Sequence, residues 1–173
     1  MKPRLPLVIM GVSASGKSTV GQALARALSL PFVEGDELHS RRNIEKMSRG
    51  EPLTDEDRAP WLAAIGRVLA DEARYPRGVV VACSALKSAY RRELRAAAPG
   101  VRFVFLDAGR ELIAARMAAR RHHFVPPGLA ESQFAALERP DAADPDVMRL
   151  DAALPVASLV DAARRALEVR DTA

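Results

Sequence analysis

Residues Leu7-Val8-Ile9-Met10-Gly11-Val12-Ser13-Ala14-Ser15-Gly16-Lys17-Ser18-Thr19 run from an apolar stretch through G-x-x-x-x-G-K-S into a helical pattern. No other segment restricts the fold as tightly. Strand, glycine-rich turn and helix, in that order, form the setting in which this spacing cradles phosphate. Gly11 and Gly16 let the backbone turn so that successive N–H groups point at phosphate oxygens. The helix opening near Lys17 adds the positive end of its dipole. The predicted nucleotide contacts are therefore Gly11, Ser13, Ala14, Ser15, Gly16, Lys17, Ser18 and Thr19. Lys17 would reach the β- and γ-phosphates, and the Ser18 hydroxyl would ligand Mg²⁺. The expected ligand is a nucleoside triphosphate, ATP with Mg²⁺.

The chain has 173 residues, enough for one domain (1–173) with a sizeable core. Its one cysteine, Cys83, has no internal partner, which fits a reducing compartment. No segment approaches the ~20 consecutive apolar residues that span a bilayer. Met1-Lys2-Pro3-Arg4 precedes only the short apolar run that the P-loop strand consumes, so no signal peptide is expected. These features predict a cytoplasmic enzyme with no membrane partner. The net charge of +4 comes largely from arginines dispersed among acids, without runs of like charge, so no nucleic-acid partner is expected either.

Strands and helices alternate along the chain, which predicts an α/β fold with a parallel sheet. Strands are expected at Leu5–Met10, Pro31–Val33, Gly78–Cys83, Arg102–Leu106 and Val147–Leu150. The helix after the P-loop should bury Val20, Leu24, Ala27 and Leu28 and stop at Pro31. A polar helix is expected over Leu38–Met47. Thr54 and Asp57 read as a capping pair for a long helix carrying Leu62, Ile65, Leu69 and Ala73, with Pro60 in an early turn. Further helices are expected at Ala89–Ala98, Arg110–Arg121 and Leu129–Leu137, and a last one carries Val156, Leu159, Val160, Ala163 and Leu167. Two regions read as inserts: 37–60 as a substrate-binding segment, and 121–140 as a lid built around His122-His123-Phe124-Val125-Pro126-Pro127-Gly128.

Other P-loop classes fit poorly. Asn43-Ile44-Glu45-Lys46 is not the N-K-x-D guanine motif of a GTPase, and the third strand ends in Cys83-Ser84 where a motor would carry a carboxylate. Compact kinases remain. Glu34 and Asp36 close the second strand, at the edge where open α/β sheets bind ligands. As alternate residues of an extended chain they should point the same way. One would hold the metal or its water, taken here as Glu34. The other, Asp36, would accept the proton of a substrate hydroxyl attacking the γ-phosphate. Arg116 and Arg120, at i and i+4 before the lid, should share a helix face and clamp the phosphates. Adenine contacts are expected from the lid base and the segment before the last helix.

The chain resembles the small P-loop gluconate kinases. The resemblance rests on Gly11–Ser18, Glu34-Gly35-Asp36-Glu37-Leu38-His39, Arg42-Asn43-Ile44-Glu45-Lys46-Met47 and Gly50 through Asp57-Arg58-Ala59-Pro60-Trp61-Leu62. It continues through Cys83-Ser84-Ala85-Leu86-Lys87, Tyr90-Arg91, His123-Phe124, Ser132-Gln133-Phe134 and Leu137-Glu138. It implies a nucleoside-monophosphate-kinase-like, three-layer α/β/α P-loop fold with a short five-stranded parallel sheet and a lid. It also implies transfer of the ATP γ-phosphate to the 6-hydroxyl of D-gluconate, Mg²⁺ dependence and a homodimer. Pro127-Gly128-Leu129-Ala130 departs from the leucine-rich approach expected before Ser132-Gln133-Phe134, which affects where that helix begins.

Gluconate is a carboxylate on a polyol, so its pocket needs a cation and several hydrogen-bonding groups. His39, Arg42, Asn43, Lys46 and Arg58 offer these beside Asp36, and Lys87 and Arg91 follow the third strand. Arg58 is assigned to the carboxylate because a guanidinium binds it bidentately. Trp61 is expected in the core with its N–H satisfied, and Cys83 as a buried strand residue. His122 and His123 lack further ligands at zinc spacing. Two rival functions are a shikimate-type kinase, disfavoured by Cys83-Ser84-Ala85 where that class has a glycine triplet, and a nucleotide-binding regulatory module.

Overall fold

The computed structural model describes residues 4–120 and 127–170, and the backbone alone at Pro127, Val169 and Arg170. Five parallel strands stand in the order β2-β3-β1-β4-β5: β1 Leu5–Met10, β2 Phe32–Glu34, β3 Gly78–Ala82, β4 Arg102–Asp107 and β5 Val147–Asp151. β1 lies between β3 and β4, with Val8 opposite Val81 on one side and Phe103 on the other. Both faces of this central strand must be covered, which is why its sequence is a continuous apolar run.

Side-chain alternation along the strands divides the core into two layers. Leu7 and Ile9 of β1 pack with Val20 and Leu24 of α1 (Lys17–Leu28), Ile113 of α5 (Arg110–Ala119), and Leu159, Ala163 and Leu167 of α7 (Val156–Arg170). Val8 and Met10 face the other way. They join Trp61, Leu62, Ile65 and Leu69 of α3 (Asp55–Ala70) and Tyr90 and Leu94 of α4 (Ser88–Ala97). The result is a three-layer α/β/α P-loop fold. The chain leaves β1 towards one face and β3 towards the other, so a crevice opens at the carboxyl ends of these strands.

Local rules account for most boundaries. Thr54 and Asp57 form a reciprocal capping box at the start of α3. Pro60 is the sixth residue of that helix and withholds one hydrogen bond from it, the one to the Glu56 carbonyl. In α1 the buried face holds Ala25 in place of Ala27, which is exposed. Ala73 also lies outside the core, because α3 ends at Ala70 and Ala73 is exposed beyond it. The helix expected over Leu38–Met47 is divided into a 3₁₀ turn, Gly35–Leu38, and α2, Arg41–Ser48. Ser40 separates them because its hydroxyl accepts the Asn43 N–H at 3.2 Å and so caps α2. The helix after the lid, α6 (Pro127–Ala136), begins at Pro127 rather than Leu129 and ends one residue before Leu137. The predicted lid loop, with His122, His123, Phe124, Val125 and Pro126, lies outside the described residues.

Candidate active site

The P-loop joins β1 to α1 and has two working faces. One borders a cavity of about 270 Å³ lined by Ala14, Ser15, Gly16 and Thr19, with Arg116 and Arg120 opposite and Ala152 and Leu154 closing it. Gly16 takes a left-handed φ of 102° as it enters α1, so the first helical amides can face a ligand. Arg116 fixes two walls of this cavity to each other. Its Nη1 donates to the carbonyls of Ala14 (3.2 Å) and Ser15 (2.9 Å), and its Nη2 donates to that of Ala152 (2.6 Å).

Lys17 follows Gly16 and lines the pocket on the other face of the loop. Its Nζ donates to the Val12 carbonyl at 3.0 Å. Burial pulls its pKa below the ordinary 10.5, and the nearby charge of Arg120 adds to that effect; Asp36 and Glu34 oppose it. An ammonium held in this way gains from an arriving polyphosphate, whose charge offsets the cost of desolvation. The Ser18 hydroxyl donates to a Glu34 carboxylate oxygen, so two hard oxygen groups stand together at the base of α1. Mg²⁺ takes one or two such protein ligands and completes its shell with water and substrate phosphates. Among the described residues no group of three or more His, Cys, Asp or Glu could hold a metal ion.

The other face of the P-loop borders a pocket of about 110 Å³ whose walls include Ser13, Lys17, Asp36, His39, Arg58 and Gln133. Trp61 forms its floor. The Trp61 Nε1 donates to the Gly35 carbonyl at 2.8 Å, and its ring stacks on His39 with centroids 4.3 Å apart. This burial lowers the His39 pKa, with Asp36 opposing the shift and Arg58 reinforcing it. Arg58 is steered by the Leu53 carbonyl at 2.6 Å and by the Tyr90 hydroxyl at 3.4 Å. A second cavity of about 250 Å³ shares Pro52, Leu53, Arg58 and Ser132 with this pocket and adds Asp55 and Lys87. Lys87 bonds both Asp55 oxygens at 2.8 and 3.0 Å, which raises its pKa.

Residues 7–140 belong to the AAA domain family. The thermosensitive gluconokinase of Escherichia coli (strain K12) is 43% identical over 160 residues, covering 92% of this chain and 86% of the relative. The gluconokinase of Gluconobacter oxydans (strain 621H) is 47% identical over 145 residues, covering 84% and 81%. The crystal structure of a gluconokinase from Sinorhizobium meliloti 1021 superposes with a TM-score of 0.83 at 49% identity, covering 92% of this chain and 90% of that one. The chain belongs to the gluconokinase family.

Several residues of this gluconokinase-family chain stand elsewhere than their spacing implies. Asp36 is not the second alternate residue of an extended strand: β2 ends at Glu34, and Asp36 sits on the 3₁₀ turn that follows. The two carboxylates still converge on Lys17 electrostatically. Arg116 and Arg120 do not share a helix face, because α5 ends at Ala119 and Arg120 leaves it with extended dihedrals. The Arg116 guanidinium is held by carbonyls, and Arg120 is exposed at the cavity rim.

The substrate set separates in the same way. His39, Arg58 and Lys87 line the two acceptor-side cavities. Asn43 is buried, with its Nδ2 donating to the Asp57 carbonyl at 2.8 Å, and Lys46 is paired with Asp57 at 2.6 Å. Arg42 is exposed on α2, outside both acceptor-side cavities. Arg91 is 1% exposed and gives Nη1 to the carbonyls of Ala85, Leu86 and Glu138 and Nη2 to Asp144, so it ties α4 to the segment after α6. Helical spacing carried that signal, since Arg91 stands one turn before the buried Leu94. Cys83 is buried, which pushes its thiol up to about 12, far from nucleophilic use. Gln133, which reaches the P-loop from α6, had no signal in charge or spacing.

Proposed function

We propose that the chain transfers the γ-phosphoryl group of ATP to the 6-hydroxyl of D-gluconate, giving 6-phosphogluconate and ADP for sugar-acid catabolism, as one kinase domain over its full length. The observation that carries this reading is the pair of cavities on opposite faces of one P-loop. One is walled for a nucleotide, and the other is lined by Asp36, His39 and Arg58. The gluconokinase names of its relatives supply the acceptor.

In this mechanism the nucleotide occupies the cavity lined by Thr19, Arg116, Ala152 and Leu154, and the amides of Ala14 and of Gly16 through Thr19 face the phosphates. The amides of Gly11, Ser13 and Ser15, which the spacing also predicts as contacts, are donated instead to the Ser84 carbonyl, Gln133 and the Val12 carbonyl. Lys17 follows the β- and γ-phosphates, while Arg120 adds positive charge beside it. Mg²⁺, held by Ser18 and Glu34, would neutralise charge on the phosphate oxygens. Asp36 accepts the proton of the 6-hydroxyl as its oxygen attacks phosphorus in line with the leaving ADP. Arg58 takes the substrate carboxylate, with Lys87 next to it. His39 presents an imidazole whose lowered pKa keeps it neutral at pH 7, so it hydrogen-bonds a hydroxyl without adding charge. The predicted contacts of Arg42, Asn43, Lys46 and Arg91 are not part of this proposal, because three are engaged within the protein and Arg42 stands outside both acceptor-side cavities.

A homodimer in the cytoplasm completes the proposal, on the strength of the family resemblance and the unpaired thiol of Cys83. Among the described residues no helix is long and apolar enough to cross a membrane. ADP release with Mg-ATP and either D-gluconate, shikimate, AMP or no acceptor tests the function. Stimulation by gluconate alone is expected. Turnover with another acceptor only would retain the kinase and refute the pocket assignment, and nucleotide binding without any turnover would favour a regulatory module.

A further inference from the structure

The geometry points to Gln133 as an acceptor-orienting residue, with the P-loop itself aiming its amide at a substrate hydroxyl. This rests on the gluconate kinase reading above. The Gln133 Oε1 accepts the Ser13 N–H at 2.5 Å, across 120 residues of sequence. Because the donor is a backbone N–H, the oxygen must face the loop, and the Nε2 must point elsewhere. That nitrogen has no hydrogen-bond partner among the described residues, and Gln133 lines the same pocket as Asp36, His39 and Arg58.

The contact does not compete with the nucleotide. Ala14, Ser15, Gly16 and Thr19 line the nucleotide cavity, whereas Ser13 lines the acceptor pocket. The helix that carries Gln133 is itself anchored. Phe134 and Leu137 pack on the core, the Glu138 N–H donates to the Leu86 carbonyl at 2.9 Å, and the Glu138 carboxylate accepts the Ser88 N–H at 2.8 Å. A glutamine fixed at both its backbone and its oxygen presents two N–H donors in a defined direction. Asp36, acting as base, offers only acceptor oxygens, so the two residues are complementary around a polyol: one gives protons to hydroxyl oxygens and the other takes one away. A P-loop amide spent in this way also makes acceptor geometry depend on the loop that positions the γ-phosphate.

Gln133→Met keeps length and neutrality while removing both polar atoms, and Gln133→Ala provides a second truncation should the first fail to fold. The assay is steady-state kinetics with D-gluconate and with each of its mono-deoxy analogues that keeps the 6-hydroxyl, alongside thermal melts. In both variants the gluconate KM should rise about tenfold while the ATP KM stays within about twofold, the scale of one hydrogen bond to a buried group. The diagnostic readout is non-additivity. One deoxy analogue should cost the wild type about tenfold and cost Gln133→Met almost nothing further. Equal losses for every analogue in wild type and variants would overturn the assignment, as would a rise in the ATP KM alone. Wild-type turnover of D-gluconate separates the two failures: its absence refutes the proposed function, and its presence with unaltered gluconate kinetics in the variants refutes the role of Gln133.

Discussion

Gly35 joins the end of β2 to the turn that carries Asp36, and nothing larger fits there. A Cβ at this position would stand 2.1 Å from the Ala82 carbonyl oxygen and 3.0 Å from Ile65 Cδ1. Ordinary contact begins at 3.4 Å, so something must move by more than an ångström. Ala82 cannot yield easily, because it belongs to β3, which is paired on both edges with β1 and β2. Movement therefore falls on the 3₁₀ turn, and it strains the Trp61 hydrogen bond to the Gly35 carbonyl. Gly35→Ala should cost about 1–3 kcal/mol of stability, the usual range for overpacking. For a chain of this length that corresponds to a fall in Tm of roughly 2–12 °C. The larger effect should be catalytic. Displacing a base by about an ångström can cost about 10²-fold in rate, so kcat should fall by that order while ATP affinity, set on the other face of the P-loop, changes little. Steady-state kinetics, nucleotide titration and a thermal melt measure all three. A variant with wild-type kcat and an unshifted melt would refute both the steric reading of Gly35 and the placement of Asp36.

Asp36→Asn should hold the gluconate KM within a few-fold and lower kcat by ~10²–10⁴; unchanged turnover would remove Asp36 from the role of base. Arg58→Ala should mainly raise the gluconate KM, and a loss confined to ATP binding would disprove its carboxylate role. His39 gives a pH dependence of stability. Its folded pKa lies below 6.5, so between that depressed value and 6.5 the unfolded chain binds a proton that the folded one has released, and stability rises with pH. Melts should therefore lose Tm as the pH is lowered through this window, and His39→Phe, which preserves the stack on Trp61, should flatten that slope. An identical slope in the variant would place its origin in another group.

Features that depend on near neighbours in sequence were legible without coordinates. The P-loop, the Thr54–Asp57 capping box, the continuous run of β3 and the apolar face of α7 from Leu159 to Leu167 arise from backbone sterics and helical or strand periodicity over a few residues. The structure carries them there, with β3 one residue shorter and Val156 exposed at the start of α7. The same periodicity reads wrongly where an element ends early. Asp36 and Arg120 were each assigned to a face of a strand or helix that stops before reaching them.

What only the tertiary structure decided is the employment of each polar side chain. Composition offered a pocket seven candidate cationic or hydrogen-bonding side chains, yet Asn43, Lys46 and Arg91 are consumed by Asp57, Asp144 and distant carbonyls. Arg116 is bound to carbonyls 101 and 36 residues away, and Gln133 to an amide 120 residues away. A buried donor must find an acceptor wherever folding brings one. That partner is set by how the layers stack, which no local pattern encodes. The sequence alone determined the glycine-rich turn at the end of β1, because Gly11 and Gly16 permit the positive φ angles that make it. Which side chains remain free to meet the acceptor became visible only once the layers had closed and the internal hydrogen bonds had taken the rest.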